Sequence, residues 1–387
     1  MSMVTLRVYC FKHSIFIVKK RSGRLAALFF AFGLSVTQYA SARTYTFTPY
    51  IESDYVGLSE VLPVSVFFKD WKTGLPLRSG NAATNELRME VGVRSKYIDV
   101  GYIEREFMYI RHNPQTAEFF YRVENRLPLE PGRDYAMLID VTSLRAKGIV
   151  VGLSPPHKEW LRLGVQTQIF AADNLLLGHL SGTVRPLSAS DYDYDNINVD
   201  YHYHKDLLFD RSVSPAIGHG LSTSVNLESR LGRKMRVVMV LKDLFSRVYW
   251  RNAPATVARI NSDNKRYDER GYVVVDPTLS GRHLTSDVVQ IIPSRTIINF
   301  EYLVSPGWFS TTRINLLRGE IAHSNIGVMK HLGSKKRMRL EYDLVTSAFG
   351  FAYESSWIQL SYAQNTMLIH KSNYISLSIG LNYALEF

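Results

Sequence analysis

Read in steps of two, the last fourteen residues, Tyr374 to Phe387, separate into two sets. The odd positions are Ile375, Leu377, Ile379, Leu381, Tyr383, Leu385 and Phe387, all apolar or aromatic. The even ones are Tyr374, Ser376, Ser378, Gly380, Asn382, Ala384 and Glu386, of which only Tyr374 is large and aromatic. Period 2 over this length predicts one strand with a greasy face and a small, polar face. A half-buried strand of a soluble domain usually stops after about five or six residues. A run this long points instead to a strand crossing a bilayer at a tilt, its small face towards a lumen.

The pattern recurs upstream. Leu87, Met89, Val91 and Val93 alternate with Arg88, Glu90, Gly92 and Arg94, and Phe119, Tyr121 and Val123 with Glu118, Phe120, Arg122 and Glu124. Leu161, Leu163, Val165, Thr167 and Ile169 repeat it, as do Leu221, Thr223, Val225 and Leu227, and Met338, Leu340, Tyr342 and Leu344 against Arg339, Glu341 and Asp343. Strands with one greasy and one wet face are expected at each, and Arg88, Glu90, Arg94, Glu118, Arg122, Arg339, Glu341 and Asp343 are candidates for a lumen. Apolar positions change parity between Leu344 and Phe349. Thr346-Ser347 lacks the Gly or Asn of a tight hairpin, so a bulge inside one strand from Arg337 to Glu354 is expected. Ser355-Ser356 then reads as a turn, Trp357 to Gln364 as the next strand, and Asn365 to Asn373 as the loop before the last strand. Prolines such as Pro128, Pro131, Pro155, Pro156, Pro254 and Pro277 fall between patterned segments, where strands must end.

Composition narrows the class. At 46% hydrophobic and 12% aromatic the chain is no disordered polymer. Beyond the first forty-odd residues no apolar run exceeds five, as in Val237 to Leu241, so helical membrane spans are excluded from that part. The single Cys10 rules out a disulfide framework and a CxxC redox or zinc site. Lys19, Lys20, Arg21 and Arg24 precede the apolar stretch Leu25 to Val36 and the small residues Ala40-Ser41-Ala42. This is the order of a cleavable secretory signal at 1–42. Its unusual length reflects either a start placed too early or an extended basic region. Cleavage there removes six of the 46 basic residues and leaves 40 against 35 acidic ones. That weak excess argues against a nucleic-acid partner.

With these features the chain resembles Gram-negative outer-membrane β-barrels: a signal peptide, no Cys after it, repeated alternation, and a last strand ending in Tyr383, Leu385 and Phe387. The resemblance implies an all-β fold for 43–387, a closed antiparallel transmembrane barrel. At roughly 22–28 residues per strand with its connection this means about 12–16 strands, both termini periplasmic. It also implies that Leu381, Tyr383, Leu385 and Phe387 face lipid or are read by the barrel assembly machinery. The loop-rich length and single N-terminal approach segment are similar to fatty-acid-transporter-like barrels. A soluble β-sandwich would also alternate and carry a signal, but it leaves the long terminal strand unexplained.

Three functions suit such a barrel: a channel or diffusion path for a small or hydrophobic solute; an anchor whose loops serve adhesion or a secretion or conjugation apparatus; and a membrane-embedded hydrolase. The channel is the leading expectation and an enzyme the least. Arg251 to Arg295 lacks sustained alternation and is expected as a long loop or plug. Asp191-Tyr192-Asp193-Tyr194-Asp195-Asn196 departs from an EF-hand at its sixth and twelfth positions, Asn196 and His202. A solvated Tyr-rich loop is expected there, with no metal and no cofactor. His323 and Ser324 are neighbours that point to opposite faces of a strand, and Gly178-His179-Leu180-Ser181-Gly182 has its Ser one place late for a nucleophile elbow. Lys335, Lys336 and Arg337 form the densest basic run after the signal. The bulged-strand reading puts them in an extracellular loop, either in contact with lipid phosphates or simply solvated.

Overall fold

The computed structural model describes residues 46–386 except 70, 156–159, 207–210, 263–264, 268–272, 276–278, 319 and 334. The expected signal at 1–42 and Phe387 lie outside the described residues. The elements run β1 (Thr46–Ser59), α1 (Val64–Phe67), β2 (Ala82–Arg94), β3 (Ile98–His112), α2 (Pro114–Glu124), β4 (Tyr135–Leu153), β5 (Leu161–Pro186) and β6 (Tyr192–Tyr203). Then come β7 (Gly218–Leu231), β8 (Met235–Ile260), the short pair β9 (Lys265–Tyr267) and β10 (Val273–Val275), β11 (Leu279–Gln290), β12 (Arg295–Ser305) and β13 (Trp308–Leu317). The chain closes with β14 (Glu320–His331), β15 (Arg337–Asp343), β16 (Phe349–Glu354), β17 (Ile358–Gln364), β18 (Tyr374–Asn382) and β19 (Leu385–Glu386).

Fourteen strands form a closed antiparallel transmembrane barrel: β1 to β5, β7, β8 and β12 to β18, each bonded to the next. Pairing of β18 on β1, from Tyr50 opposite Asn382 to Leu58 opposite Tyr374, completes the ring. Closure satisfies every backbone group between strands, which lipid demands. Val100, Ile149, Ile169, Leu221, Phe245, Leu340, Phe349, Leu377 and Ile379 stand exposed on the outer face, an apolar surface far beyond what water tolerates on a monomer. Its upper border on one side is charged: Glu104 pairs with Lys147 at 2.9 Å and Arg145 with Asp173 at 2.7 Å.

Both described ends of the chain sit at one rim, the terminal end, where the turns are short; the long connections lie at the opposite, distal end. There the wall is uneven. β5 and β8 have 26 residues each, about 85 Å at the usual rise, whereas β16 has 6. The long strands change partners on the way. β5 pairs β7 through Leu161–Ala172 and β6 through Leu176–Pro186; β8 pairs β12 through Met235–Lys242 and β11 through Val248–Ile260. Asn174 and Asp243 sit at these changes, and Asn252 where the other edge of β8 passes from β7 to β6, with φ of 59°, 53° and 49°. They are residue types that enter the left-handed region at low cost, and each accompanies a register shift of the bulge kind.

On the outer face distal to this charged border α1 and α2 cover the sheet. Phe119 and Leu129 pack on Tyr135, Met137, Val199 and Tyr201, and Val64, Phe67 and Phe68 pack with Ala83 and Ile110.

Several expectations are corrected. Glu118 to Glu124 is not a strand but the end of α2, started by Asn113, whose side chain accepts from Thr116 N at 2.7 Å, and by Pro114. Glu118 and Arg122 therefore pair at 2.9 Å on a helix, away from the lumen. Residues 337–354 form a hairpin rather than one bulged strand. Asp343 Oδ1 accepts from Val345 N and Thr346 N at 2.8 and 3.1 Å, and Ser347 takes φ 58°, so the Asp supplies the turn chemistry that a Gly was expected to supply. This reversal puts Lys335 and Lys336 in the β14–β15 connection and Arg337 at the start of β15, at the same end as the described termini and opposite the end the bulged strand implied. The Tyr-rich segment is strand β6 rather than a loop. Of the stretch expected as a long loop or plug, 251–260 extend β8 and Leu279–Gln290 form β11, so both raise the wall. The last strand breaks after Asn382; Tyr383 N donates to Pro49 O at 3.0 Å, and β19 resumes beside Thr46 and Phe47.

Candidate functional site

Because Leu87, Met89 and Val91 face outward, Glu86, Arg88 and Glu90 point in. Arg88 Nη2 donates to Glu90 Oε2 at 2.6 Å and to Gln166 Oε1 at 2.9 Å. Gln166 is on β5, with β3 and β4 between, so that bond crosses the interior. A longer ionic chain lies beside it. Arg105 on β3, 2% exposed, grips Asp243 on β8 through Nη1–Oδ1 at 2.7 Å and Nη2–Oδ2 at 3.0 Å. Its Nη2 is also 3.6 Å from Glu86 Oε1, and Arg295 Nη1 on β12 reaches Glu86 Oε2 at 2.9 Å. Asp243 sits on a bulge, which turns its carboxylate inward and lets its own N–H bond Ser224 Oγ at 3.2 Å. Burying four charges is tolerable only because each has a partner; removing one partner of such a pair costs about 3–5 kcal/mol.

Distal to this chain, the β3–β8 side of the interior is filled by Phe107, Leu144, Phe170, Val248, Trp250 and Ile292. Trp250 Nε1 donates to Gln290 Oε1 at 3.1 Å, and Gln290 Nε2 to Thr142 Oγ1 at 2.9 Å, tying β11 across to β4. The opposite side holds a cavity of about 320 Å³ against β1 and β12–β18. Its lining includes basic Arg88, Lys242, Arg295, Arg313 and Arg339 and acidic Asp54, Glu86, Glu341 and Glu354. At its distal end Tyr374 clusters with Leu58, Ala348 and Ala363. The Tyr374 ring lies 4.4 Å from that of His323, whose Nδ1 meets Asp343 Oδ2 at 2.9 Å.

Of the residues singled out from sequence, Arg88, Arg339 and Glu341 line this cavity, and Asp343 stands behind its distal end. Glu90 is buried beneath Arg88 and accepts from Tyr50 Oη at 2.5 Å. Arg94 bonds Glu52 Oε1 at 3.1 Å near the terminal end. Arg339 Nε is 3.4 Å from Glu341 Oε2, and Arg313 Nη1 is 3.3 Å from Glu341 Oε1. Arg337 pairs with Glu354 at the rim. Lys335 and Lys336 are exposed in their turn, Glu118 and Arg122 belong to α2, and Leu381 and Tyr383 are exposed on the outer face. Sequence reasoning missed Glu86, Arg105, Lys242, Asp243 and Arg295. Arg105 is masked by Glu104 and Glu106 on either side, and Asp243 by the bulge that takes it out of the strand's alternation. Among the described residues no group of three or more His, Cys, Asp or Glu is placed to hold a metal ion.

No protein-family model matches the chain, and no curated protein does. Among solved structures it is similar in outline to a deletion mutant of the TodX monoaromatic hydrocarbon channel, with 10% identity, 90% of this chain and 91% of that one covered, and a TM-score of 0.44. The Ralstonia pickettii toluene transporter TbuX (10%, 89% and 90%, 0.29) and a Pseudomonas aeruginosa FadL homologue (8%, 89% and 89%, 0.32) align over similar spans. Similarity at this level says nothing of substrate.

Proposed function

We propose that the chain is an outer-membrane barrel, exported by its 1–42 signal, that passes a small, charge-bearing polar solute along the β12–β18 wall. The terminal end then faces the periplasm and the distal end the outside, in keeping with short turns at one rim and long connections at the other. The observation that carries the reading is the cavity of about 320 Å³ lined by charges of both signs, since crossed basic and acidic rows hold water and orient a polar solute. A hydrocarbon would strip those charges of water without replacing it, so the polar solute is preferred over a hydrophobic one. Tyr374 and the Glu86–Arg295 bridge are the two closures on this path. The exposed outer band meets outer-membrane lipid, and the last strand is the segment offered to the barrel assembly machinery. Planar-bilayer recording tests the path: the native chain gives small or rare openings, while Tyr374→Ala and Glu86→Gln raise conductance. Absence of conductance and of liposome swelling for all three rejects it.

The uneven wall favours a second reading, an anchor for surface contacts. β5, β6, β8 and β11 carry a sheet well past the apolar band, stiffened by α1 and α2, and such a platform suits a partner at the cell surface. Binding to cells that survives deletion of conductance, and is lost when α2 is cut out, favours the anchor.

A further inference from the structure

The distal sheet carries one row of ionisable side chains on its inner face. Arg111, Asp140, His179 and Asp200 are direct cross-strand neighbours on β3, β4, β5 and β6. Arg111 donates to Asp140 Oδ2 from Nε at 3.1 Å and from Nη2 at 2.8 Å, and His179 Nδ1 meets the other oxygen, Oδ1, at 2.7 Å. Burial alone pushes the Asp140 carboxyl up, but the His179 bond and Arg111 outweigh it and hold the group below its usual range. The carboxylate thus stays charged and fixes the imidazole with its proton on Nδ1, which leaves Nε2, on the far side of the ring, as a base. A pair this exposed, 50% for His179 and 29% for Asp140, adds little to stability, so the fold does not require it.

His179 and Asp200 line two adjoining recesses, of about 480 and 450 Å³, each in the range of small-molecule sites. The first has an apolar floor of Leu177 and Val288 and holds Arg318, whose guanidinium lies 4.9 Å from the Tyr109 ring centroid. We propose that this cleft is a hydrolytic site for an anionic acyl ester, separate from the barrel path, with His179 as catalytic base and Asp140 as its positioning residue. The acyl portion lies on the apolar floor and Arg318 meets the negative group. His179 Nε2 takes a proton from water as the water oxygen bonds to the carbonyl carbon. Collapse breaks the C–O bond to the alcohol, which leaves with the proton returned by His179, and the products are a carboxylic acid and an alcohol. One imidazole serving as base and then acid suits an ester, whose alcohol leaves more readily than an amine.

The test uses the full chain folded in detergent, with p-nitrophenyl hemisuccinate as the anionic ester and p-nitrophenyl butyrate as the neutral one. The native chain hydrolyses the hemisuccinate faster. His179→Ala and His179→Gln each lose about 100-fold or more in kcat, with heat-modifiable mobility and bilayer conductance retained. Asp140→Asn lowers kcat with KM unchanged, and Asp140→Glu restores part of the loss. Arg318→Gln raises KM for the hemisuccinate alone. Turnover by the native chain no faster than the detergent blank, or native rates in both folded His179 variants, overturns the proposal and leaves the barrel path untouched.

Discussion

Arg105 and Asp243, 138 residues apart in sequence, close a bidentate pair across the barrel interior at 2.7 and 3.0 Å. The pair joins β3 to β8 over the heads of β4, β5 and β7, and Ser222 Oγ adds a third bond to the same carboxylate. It is a tie between walls rather than between neighbours.

Breaking that tie on one side strands a charge in a dry place. Arg105→Leu or Asp243→Asn alone is expected to cost about 3–5 kcal/mol. The double variant Arg105→Leu/Asp243→Leu recovers a large part, because no unpaired charge remains. Urea unfolding from lipid vesicles, followed by tryptophan fluorescence, gives the three values. Equal losses from singles and double would mean that the cost lies in packing.

The distal cap responds to pH through His112, which is 4% exposed and stacked on Phe67 with ring centroids 6.1 Å apart. Burial, against the opposing Asn113 carbonyl and Glu60, holds the imidazole below its usual range, and its Nε2 has no hydrogen-bond partner. The unfolded state therefore binds the proton more readily. The stability due to neutral His112 is full above an unfolded pKa of ~6.5 and is lost as pH falls below it towards the folded value. Hydrogen exchange over residues 59–68 should speed up on acidification through this window, and His112→Phe should abolish the change.

Depth decides the cost of a charge on the last strand. Leu377 is in mid-strand on β18, opposite Tyr362 and Tyr55, whereas Leu381 is next to its end, opposite Ile358 and Ile51 near the terminal rim. Arg at Leu377 is expected to cost about 2–4 kcal/mol and at Leu381 only about 0–1, where the side chain reaches the interface. Membrane yield and heat-modifiable mobility rank the two, with Ser378→Thr on the inner face as the mild reference. A worse defect at Leu381 would place the membrane lower on the barrel.

Asn113→Ala removes the cap of α2 and its bond from Nδ2 to Ala136 O at 3.0 Å. A loss of about 0.5–2 kcal/mol is expected, confined to the distal end. Limited proteolysis at 113–134 should accelerate while the barrel core keeps its unfolding midpoint. A lowered midpoint for the core would show that α2 supports the membrane part as well.

The strands that sequence placed best, at 87–93, 161–169 and 221–227, are those where one face carries no charge from end to end. Misreadings arose where local chemistry competed with the pattern. Phe119, Tyr121 and Val123 alternate, yet the Asn113-Pro114 start and the i, i+4 pair of Glu118 and Arg122 favour a helix. Thr346-Ser347 lacks Gly, yet Asp343 builds the turn from three residues upstream.

Period-2 alternation is a property of each strand alone, because successive side chains leave opposite faces of the backbone. The sequence by itself therefore determined that this chain makes one-sided strands, that their greasy face meets lipid, and that Arg88, Arg339 and Glu341 turn the other way. Which of those inward charges meet was decided only by closure. Glu86 finds Arg295, and Arg105 finds Asp243, because β1 bonds β18 and a bulge turns Asp243 inward, out of step with the alternation of β8. The row of Arg111, Asp140, His179 and Asp200 likewise exists only once β6 is inserted beside β5, since register between strands is set by bonds that no single segment contains.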